Sequence, residues 1–361
     1  MCELLAMSFN LPVRPTISFR GFRHRGESNP HGWGIAFYPD ESAQIIKEPI
    51  RAGKSPLSKF LQDYQEVKSR IFIGHVRYTS VGAKNHKNTH PFCRELNGKE
   101  YIFAHNGTLR NYKNLKLERF KPIGETDSEH AFCYLLGCIE ERGITNWENE
   151  DFEWLAKKLR EINEYGSFNC IFSDGKLLFC YYDKNGYNGL CFVQRKPPYG
   201  EIRLLDEDWQ VNLAEEKRPE QTGYIIATRR LTDESWEKFK SGELIVFKDG
   251  KMIYSNSRDV SEMGDHLTIQ EKEILKTLRN SPHRMSLKEI AETLKYPIEE
   301  IKSTIHSLLC KGYIRQDGRD TVSWNHNNAT FYTQPSKRKE IDRLVTSSPR
   351  LRKGSCKQQK R

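Results

Sequence analysis

Strand-forming segments in the first 255 residues constrain the fold of this chain more than any other feature. They are SRIFIGHVRY, KEYIFAHNGTL, SFNCIFSDGKLLFCYY and ELIVFKDGKMIYS. Each is rich in β-branched and aromatic residues, as is typical of strands. Three contain Asn-Gly or Asp-Gly, the strongest short-range signal for a hairpin. Stretches with helical character interrupt them, roughly at 58–68, 128–142 and 151–164. Antiparallel strands with intervening helices predict an α+β fold of layered sheets covered by helices.

The helical stretch at 128–142 carries clear end signals. Thr126 and Glu129 have the spacing of a capping box at its start, and Gly143 is a typical stop at its end. These signals make this helix the best defined of the three.

The pattern changes after SNSRDVSEMGDH, and a second domain is indicated. Three short helical stretches follow (TIQEKEILKTLRNS, SLKEIAETLK and PIEEIKSTIHSLLCKGY), and then IRQDGRDTVSW, which reads as a hairpin with an Asp-Gly turn. Three helices and a hairpin are the plan of a winged helix, a variant of the helix-turn-helix. We therefore expect a main domain at 1–256, a linker at 257–266, a winged-helix-like domain at 267–334 and a disordered basic tail at 335–361.

Charge and cysteine usage exclude several classes of protein. The formal net charge is +10, and the tail contributes +8 of it, so the basicity says little about what the main domain binds. No apolar run is long enough to cross a membrane, and the first residues do not resemble a signal peptide. The nine cysteines include no Cys-x-x-Cys pair, which argues against a disulfide framework and a zinc ribbon. We expect a cytoplasmic protein without membrane contact.

Five short stretches carry candidate chemistry, although each also has a structural explanation. MCELLAMSFN places Cys2 behind Met1, where it could be a chance apolar residue that begins a strand. The other four are GHVRYTS, NTHPF, AHNGTL and GETDSEH. Arg77 fits a solvated strand edge, His90 a loop, Asn106-Gly107 a type I′ turn, and Asp127 the first turn of a helix.

A metal site or a cofactor is not indicated. Histidines are frequent in this part of the chain, but none are spaced as a tight pair of metal ligands. We therefore expect neither. The histidines considered are His24, His31, His75, His86, His90 and His105.

Taken together, in this order and spacing, the five stretches resemble the class II glutamine amidotransferases, whose nucleophile is the N-terminal residue. The likeness covers residues 1 to about 256 and is strongest to the stand-alone bacterial members. It also includes HGWGIAFY, NTHPFCREL and PIGETDSEHAFCYLL. The resemblance implies a four-layer αββα sandwich in which Cys2 is the nucleophile.

Elementary chemistry is consistent with that role for Cys2. A carboxamide is unreactive, and a thioester intermediate divides its hydrolysis into two easier steps. Once Met1 is removed, the free α-amino group has a pKa of roughly 7.7–8.0, close to about 8.5 for the thiol, so it can act as the base. By resemblance, the Asn106 side chain and the Gly107 N–H stabilise the oxyanion, and we expect one tight turn to present both.

The resemblance also assigns the residues that select the substrate. Arg77 binds the α-carboxylate of glutamine, Asp127 holds the α-ammonium, and Ser80 and His90 assist. Arg25-Gly26 and Gly32 to Gly34 resemble turns that wall the pocket. Two positions depart from the family pattern. His31 stands where relatives usually carry Asp, and Val81 stands where the sugar-synthesising relatives carry His.

The fate of the released amine stays open at this point. No large synthase domain follows residue 256, so a partner enzyme could consume ammonia in trans, or the enzyme could simply cleave its substrate. A γ-glutamyl peptide hydrolase of thiol metabolism would use the same chemistry with another leaving amine. A third alternative is a nucleic-acid-binding regulator that senses glutamine without turning it over.

The winged-helix-like domain likewise admits two interpretations. DNA binding would place the third helix in the major groove, with the basic tail on phosphates and Lys302, Ser303 and His306 as candidate contacts. However, Glu299 and Glu300 lie near the helix end that should meet the DNA. Docking to a protein partner is therefore favoured.

Overall fold

A computed structural model of the chain describes residues 1–64, 66–218, 220–260, 267, 269–310, 312–317 and 329–346. The chain divides into two compact units, Met1–Gly264 and Asp265–Arg361, called the N-terminal and C-terminal units below. None of the helices in the described ranges has the length and apolar character needed to cross a bilayer.

The N-terminal unit contains fifteen strands and five α-helices among its described residues. The strands are β1 Glu3–Val13, β2 Trp33–Phe37, β3 Gln44–Glu48, β4 Ser69–Val76, β5 Phe92–Leu96, β6 Lys99–Leu109, β7 Gly166–Ser173, β8 Leu177–Tyr181, β9 Cys191–Arg195, β10 Glu201–Arg203, β11 Gln210–Asn212, β12 Gly223–Ala227, β13 Glu237–Lys238, β14 Leu244–Lys248 and β15 Lys251–Ser255. The helices are α1 Thr16–His24, α2 Pro56–Asp63, α3 Asp127–Glu141, α4 Asn149–Ile162 and α5 Leu213–Glu216.

Two antiparallel sheets form the body of this unit. One has seven strands in the order β13-β9-β12-β1-β4-β2-β3, and the other has six in the order β15-β14-β8-β7-β6-β5. Strands β10 and β11 pair separately. The strand β1 is central, between β12 and β4, and its register pairs Glu3 with Val76 and Leu4 with His75.

The sheets pack face to face, and helices cover their outer faces. Side chains alternate along a strand, so Leu4 and Ala6 of β1 enter the core between the sheets. Leu5 and Met7 point the other way, into a core shared with α1 and α2. On the second sheet, α3 and α4 close a third core. These are the four layers that the resemblance implies. Because both faces of β1 are covered, its residues 4–7 (LLAM) are all apolar.

The predictions of secondary structure are confirmed at the four strand-forming segments. They form β4, β6, the pair β7 and β8, and the pair β14 and β15. Asp249 and Gly250 both have positive φ (47° and 71°), as a type I′ hairpin requires. The helix predicted at 58–68 is shorter, because α2 ends at Asp63.

The turn predicted at Asn106-Gly107 is wrong. Both residues lie inside β6 and pair with Asn169 and Phe168 of β7. Gly107 is required by a close approach instead of by a turn, since a Cβ there would lie 2.0 Å from the carbonyl oxygen of Ser167.

The capping box predicted for α3 is half correct. Thr126 accepts a hydrogen bond from the N–H of Glu129 at 3.1 Å. The Glu129 carboxylate does not reach back to Thr126; it accepts from the N–H groups of Ile123 (3.0 Å) and Gly124 (2.6 Å). Thr126 therefore caps the helix, while Glu129 fixes the loop that leads into it.

The C-terminal unit has its own core, and two expectations about it are corrected. Its described elements, in chain order, are α6 Ile269–Asn280, β16 Met285–Ser286, α7 Leu287–Leu294, α8 Ile298–Cys310, β17 Ile314–Asp317, β18 Thr330–Thr333 and α9 Arg338–Thr346. The expected tight hairpin at Asp317 is wrong, because Asp317 lies in β17 and pairs with Thr330 of β18. The predicted return strand, within 319–324, lies outside the described residues.

The expectation of disorder from residue 335 onward is also wrong, as far as Thr346. Ile341 of α9 is fully buried, and Asp342 accepts a hydrogen bond from Nε of Arg279 at 2.9 Å. Residues 347–361 lie outside the described part of the chain.

Candidate active site

The thiol of Cys2 is held by the backbone of one residue, Tyr78. Cys2 immediately precedes β1, and the register of β1 with β4 places it beside Arg77. The N–H of Tyr78 donates to Sγ of Cys2 at 3.1 Å, and the S–H donates to the Tyr78 carbonyl oxygen at 3.2 Å. Sequence reasoning missed Tyr78, because its contribution comes from the backbone and not from its side chain.

Burial raises the pKa of the Cys2 thiol above its usual value. The hydrogen bond from Tyr78, the positive amine of Met1 and the Arg77 guanidinium oppose this effect, because each stabilises a thiolate, whereas the Asp127 carboxylate adds to it. The net rise means that the thiol stays protonated near neutral pH. A base is therefore needed to activate it.

Polar side chains fix the backbone around the nucleophile. The Asn188 amide donates to the carbonyl oxygen of Cys2 at 3.1 Å. Two positions later, Leu4 donates its N–H to the Thr228 hydroxyl at 2.8 Å. Asn188 was not predicted, although its place in the NGYNG stretch, with φ of 55°, is the kind of turn that this composition indicates.

Glu3 forms a buried ion pair directly behind the nucleophile. Nη1 of Arg25 donates to its carboxylate at 2.7 Å, and Nε of Arg229 donates at 2.8 Å. Because neighbouring strand residues point to opposite faces, this pair lies on the other side of β1 from Cys2. The Arg25 guanidinium thus supports β1.

Arg77 is a buried guanidinium whose described hydrogen bonds go to backbone carbonyl groups. Its side chain is 3% exposed and donates to the carbonyl oxygens of Ala83 and Val81, each at 3.1 Å. No carboxylate lies within ion-pair distance among the residues that the structure describes. Burial lowers the pKa of Arg77, whereas Cys2 and Asp127 raise it. A buried cation of this kind is suited to a negatively charged ligand.

Val81, one of the two departures from the family pattern, acts here through its backbone. The carbonyl oxygen that receives the Arg77 hydrogen bond is available from any residue type. The loss of a histidine side chain at this position therefore leaves that contact intact.

Strand β6 brings Asp127 and Ser80 to one place. Asp127, buried at the start of α3, accepts from the N–H of Leu109 at 2.7 Å. Ser80 is exposed, and its hydroxyl accepts from the Thr108 hydroxyl at 3.1 Å. Both contacts are within three residues of Asn106 on the same strand, so the two predicted substrate residues lie beside the predicted oxyanion pair.

The carboxamide of Asn106 is buried, and no described residue forms a hydrogen bond with it. The residue is 1% exposed, and neither its oxygen nor its nitrogen has a hydrogen-bond partner among the described residues. A buried amide in this state costs about 1–3 kcal/mol. It is therefore a candidate for a group that completes its hydrogen bonds with a ligand.

His90 belongs to a buried stack of histidines. The centroid of its ring lies 4.2 Å from that of His75. Neither ring nitrogen of His90 has a hydrogen-bond partner in the described part of the chain. His75 donates from Nε2 to the carbonyl oxygen of His105 at 3.2 Å. Burial lowers the pKa of His75 to about 3 and that of His90 well below its usual value, so both rings are neutral at pH 7.

Lys47 and Gly34 set the position of the His90 loop. Nζ of Lys47 donates to the carbonyl oxygens of Thr89 (2.6 Å) and Pro91 (3.1 Å), on either side of His90. A Cβ on Gly34 would lie 2.3 Å from the His90 carbonyl oxygen. Gly34, the second glycine of GWG, thus gives the His90 loop room to approach β2.

Within the described ranges, no three His, Cys, Asp or Glu side chains are grouped as metal ligands would be. The described hydrogen-bond partners of the buried histidines are backbone carbonyl groups and the Ser128 hydroxyl.

Comparison with known proteins identifies relatives over most of the chain. The family model described as "Glutamine amidotransferases class-II" matches residues 1–301. A protein of unassigned function from Methanocaldococcus jannaschii is 51% identical over 352 residues, which cover 96% of each chain. The Escherichia coli protein named "Putative glutamine amidotransferase YafJ" is 38% identical over 259 residues, which are 70% of this chain and all of that protein. A crystal structure titled as a predicted glutamine amidotransferase from Pseudomonas aeruginosa has 31% identity and a TM-score of 0.53; the match covers 70% of this chain and 100% of that one.

Proposed function

The chain belongs to the class II glutamine amidotransferases, and from that premise we propose that it cleaves the γ-carboxamide of glutamine, or of a γ-glutamyl amide, through a thioester on Cys2. The enzyme class predicted from the motifs is confirmed by this membership. The observation that carries the substrate assignment is Arg77, a buried guanidinium next to the Cys2 thiol with backbone carbonyls as its described partners.

The first step needs a base, and the nucleophile supplies it. Removal of Met1 converts the Cys2 nitrogen from an amide into an α-amine with a pKa of roughly 7.7–8.0. The thiol proton passes to this amine as Sγ attacks the amide carbon. Burial, which raises the pKa of the thiol, makes this internal base necessary at neutral pH.

Attack places a negative charge on the former carbonyl oxygen. We assign its stabilisation to the Asn106 amide and the N–H of Gly107. When the intermediate collapses, the C–N bond breaks and the leaving nitrogen takes the proton from the α-ammonium, so that ammonia or an amine departs. Water then attacks the thioester, its proton returns by the same amine to Sγ, and glutamate is released.

Two charges orient the substrate. The α-carboxylate matches the guanidinium of Arg77, and the α-ammonium matches the Asp127 carboxylate. Ser80, beside β6, and His90, in the histidine stack, assist in binding the substrate. The fold that carries this arrangement is, in our proposal, the four-layer N-terminal-nucleophile hydrolase sandwich.

The leaving amine distinguishes the versions of this function. An amidotransferase passes ammonia to a partner enzyme in trans, whereas a γ-glutamyl peptide hydrolase of thiol metabolism releases an amine or a peptide. Parallel assays of glutamine, γ-glutamyl dipeptides and glutathione, with glutamate as the common product, decide between them. A preference for glutamine favours the amidotransferase. Full-length protein that cleaves none of them and yet binds DNA would support the glutamine-sensing regulator.

Replacing Asn106 tests the oxyanion assignment. Asn106→Ala should lower kcat about 10²–10³-fold and leave KM for glutamine nearly unchanged, because an oxyanion donor acts mainly in the transition state. Steady-state kinetics measure both values. Lys99→Ala, at the opposite end of the same strand, removes a hydrogen bond to the carbonyl oxygen of Thr145. It serves as the control and should retain most of kcat. A loss confined to KM in Asn106→Ala would contradict the assignment.

For the C-terminal unit we propose a winged helix that docks a protein partner. The element order α6, β16, α7, α8, β17, β18 supports this class. The first turn of α8 presents Ile298, which is 46% exposed, and the Glu299 carboxylate lies 3.9 Å from Nζ of Lys302. A helix end with an apolar side chain and a paired lysine suits a protein surface better than a phosphate backbone.

DNA-binding measurements on the full-length protein test this proposal. Lys302→Ala should leave the affinity for a mixed-sequence duplex within about twofold at low salt, where phosphate contacts have their largest effect. A tenfold loss of affinity would instead place α8 on DNA.

A further inference from the structure

His31 occupies one of the two positions that depart from the family pattern, and it contacts the segment that holds the nucleophile. The backbone N–H of His31 donates to the carbonyl oxygen of Arg77 at 3.0 Å, and the backbone N–H of Arg77 donates to the carbonyl oxygen of Gly32 at 2.8 Å. Its side chain reaches two residues further, where Nδ1 accepts from the N–H of Thr79 at 2.9 Å. Because Nδ1 accepts this bond, the ring proton of the neutral histidine is on Nε2.

Tyr78 lies between these anchored positions. Its N–H and its carbonyl oxygen make the two hydrogen bonds to the Cys2 thiol, at 3.1 and 3.2 Å. Its ring is 49% exposed, and the centroid lies 4.9 Å from that of His31. His31 thus fixes residues 77 and 79, and the backbone of Tyr78 between them binds the thiol.

We propose that His31 is a positioning residue for Cys2: its Nδ1 fixes the N–H of Thr79 and thereby aims the backbone of Tyr78 at the thiol. This inference rests on the proposed function of Cys2. His31 does not touch the reacting atoms. Its effect passes through a backbone whose displacement by 1 Å is enough to cost about a hundredfold in rate.

The surroundings of His31 keep its acceptor available. Burial lowers the pKa of His31, and the nearby cations Lys84 and Arg77 lower it further. No carboxylate pairs with the ring among the described residues. As the pH falls through this lowered pKa, Nδ1 gains a proton and can no longer accept from Thr79, so activity should be lost on the acid side.

Three substitutions separate the acceptor from the bulk of the ring. His31→Asn places an amide oxygen close to the position of Nδ1, His31→Gln extends its amide toward the position of Nε2, and His31→Leu has no acceptor. We expect His31→Asn to retain kcat within about threefold, and the other two to lose about 10- to 100-fold with KM for glutamine little changed. The extra acid limb of the wild-type pH profile should be absent in His31→Asn. His31→Gln keeps the test available should His31→Leu fail to fold.

A second readout does not depend on turnover. The rate at which iodoacetamide alkylates Cys2 reports the thiol directly, and it should fall in His31→Leu and His31→Gln but not in His31→Asn. Wild-type kcat and alkylation in His31→Leu would overturn the proposal, as would equal impairment of all three variants, which indicates a packing role. Absence of amidase activity in the wild type, with the alkylation pattern intact, would refute the proposed function and leave the positioning role standing.

Discussion

Cys2→Ala is expected to lower glutamine cleavage by at least about 10⁴-fold, because removal of a covalent nucleophile disables every later step. The fold should survive, since the described hydrogen bonds of the thiol are those to the Tyr78 backbone. Release of glutamate measures the first expectation, and the thermal midpoint of unfolding measures the second.

The matched control for this variant is Cys93→Ala. Cys93 is also a partly buried free cysteine, and its Sγ lies 3.9 Å from the Glu100 carboxylate, on β5 and β6. We expect it to retain nearly full activity. Equal activity of Cys2→Ala and the wild-type protein would remove Cys2 from the mechanism.

Arg77→Ala is expected to raise KM for glutamine steeply. Truncation of one partner of a buried charge pair typically costs about 2–5 kcal/mol, which corresponds to a loss of roughly 30-fold or more in kcat/KM. The KM of Arg77→Lys should lie between those of the wild type and Arg77→Ala, because an ammonium keeps the charge but lacks the planar fork that matches a carboxylate. Kinetics at several glutamine concentrations separate KM from kcat.

Two controls isolate the carboxylate contact from a general disturbance of β4. Arg70→Ala removes an exposed arginine of β4, the strand that Arg77 directly follows, and should leave KM unchanged; its Nη1 lies 2.9 Å from the Asp249 carboxylate. Alkylation of Cys2 by iodoacetamide, which has no carboxylate, should fall far less in Arg77→Ala than kcat/KM for glutamine does, because alkylation loses only the contribution of Arg77 to thiolate stability. An unchanged KM in Arg77→Ala would mean that the residue only supports the loop at 81–83.

The layers of the N-terminal unit could be predicted from the sequence because strand signals are local. Asp249-Gly250 forms the turn that its composition indicates, and both of its residues adopt the required positive φ. Asn106-Gly107 has the same kind of composition and forms no turn, because β7 pairs along both residues. Only the long-range contact with Ser167 decides between these outcomes, and a two-residue motif does not contain it.

The sequence could suggest candidate residues for the site, but it could not suggest their backbone contacts. The resemblance assigned a role to Arg77, whereas the hydrogen bonds from Tyr78 to the thiol depend on strand register. The same limit applies to α9. Its charged sequence suggested disorder, but Ile341 is buried in the core of the C-terminal unit.

The most direct test of the account is the intact mass of the protein isolated from its own cells, before and after treatment with a glutamine analogue that carries an electrophilic γ-carbon. We expect a mass without Met1, one added label per chain, and a peptide map that places the label on Cys2. Protein that retains Met1 and still cleaves glutamine, or a label on another residue, would contradict the claim that Cys2 supplies both the attacking sulfur and its base.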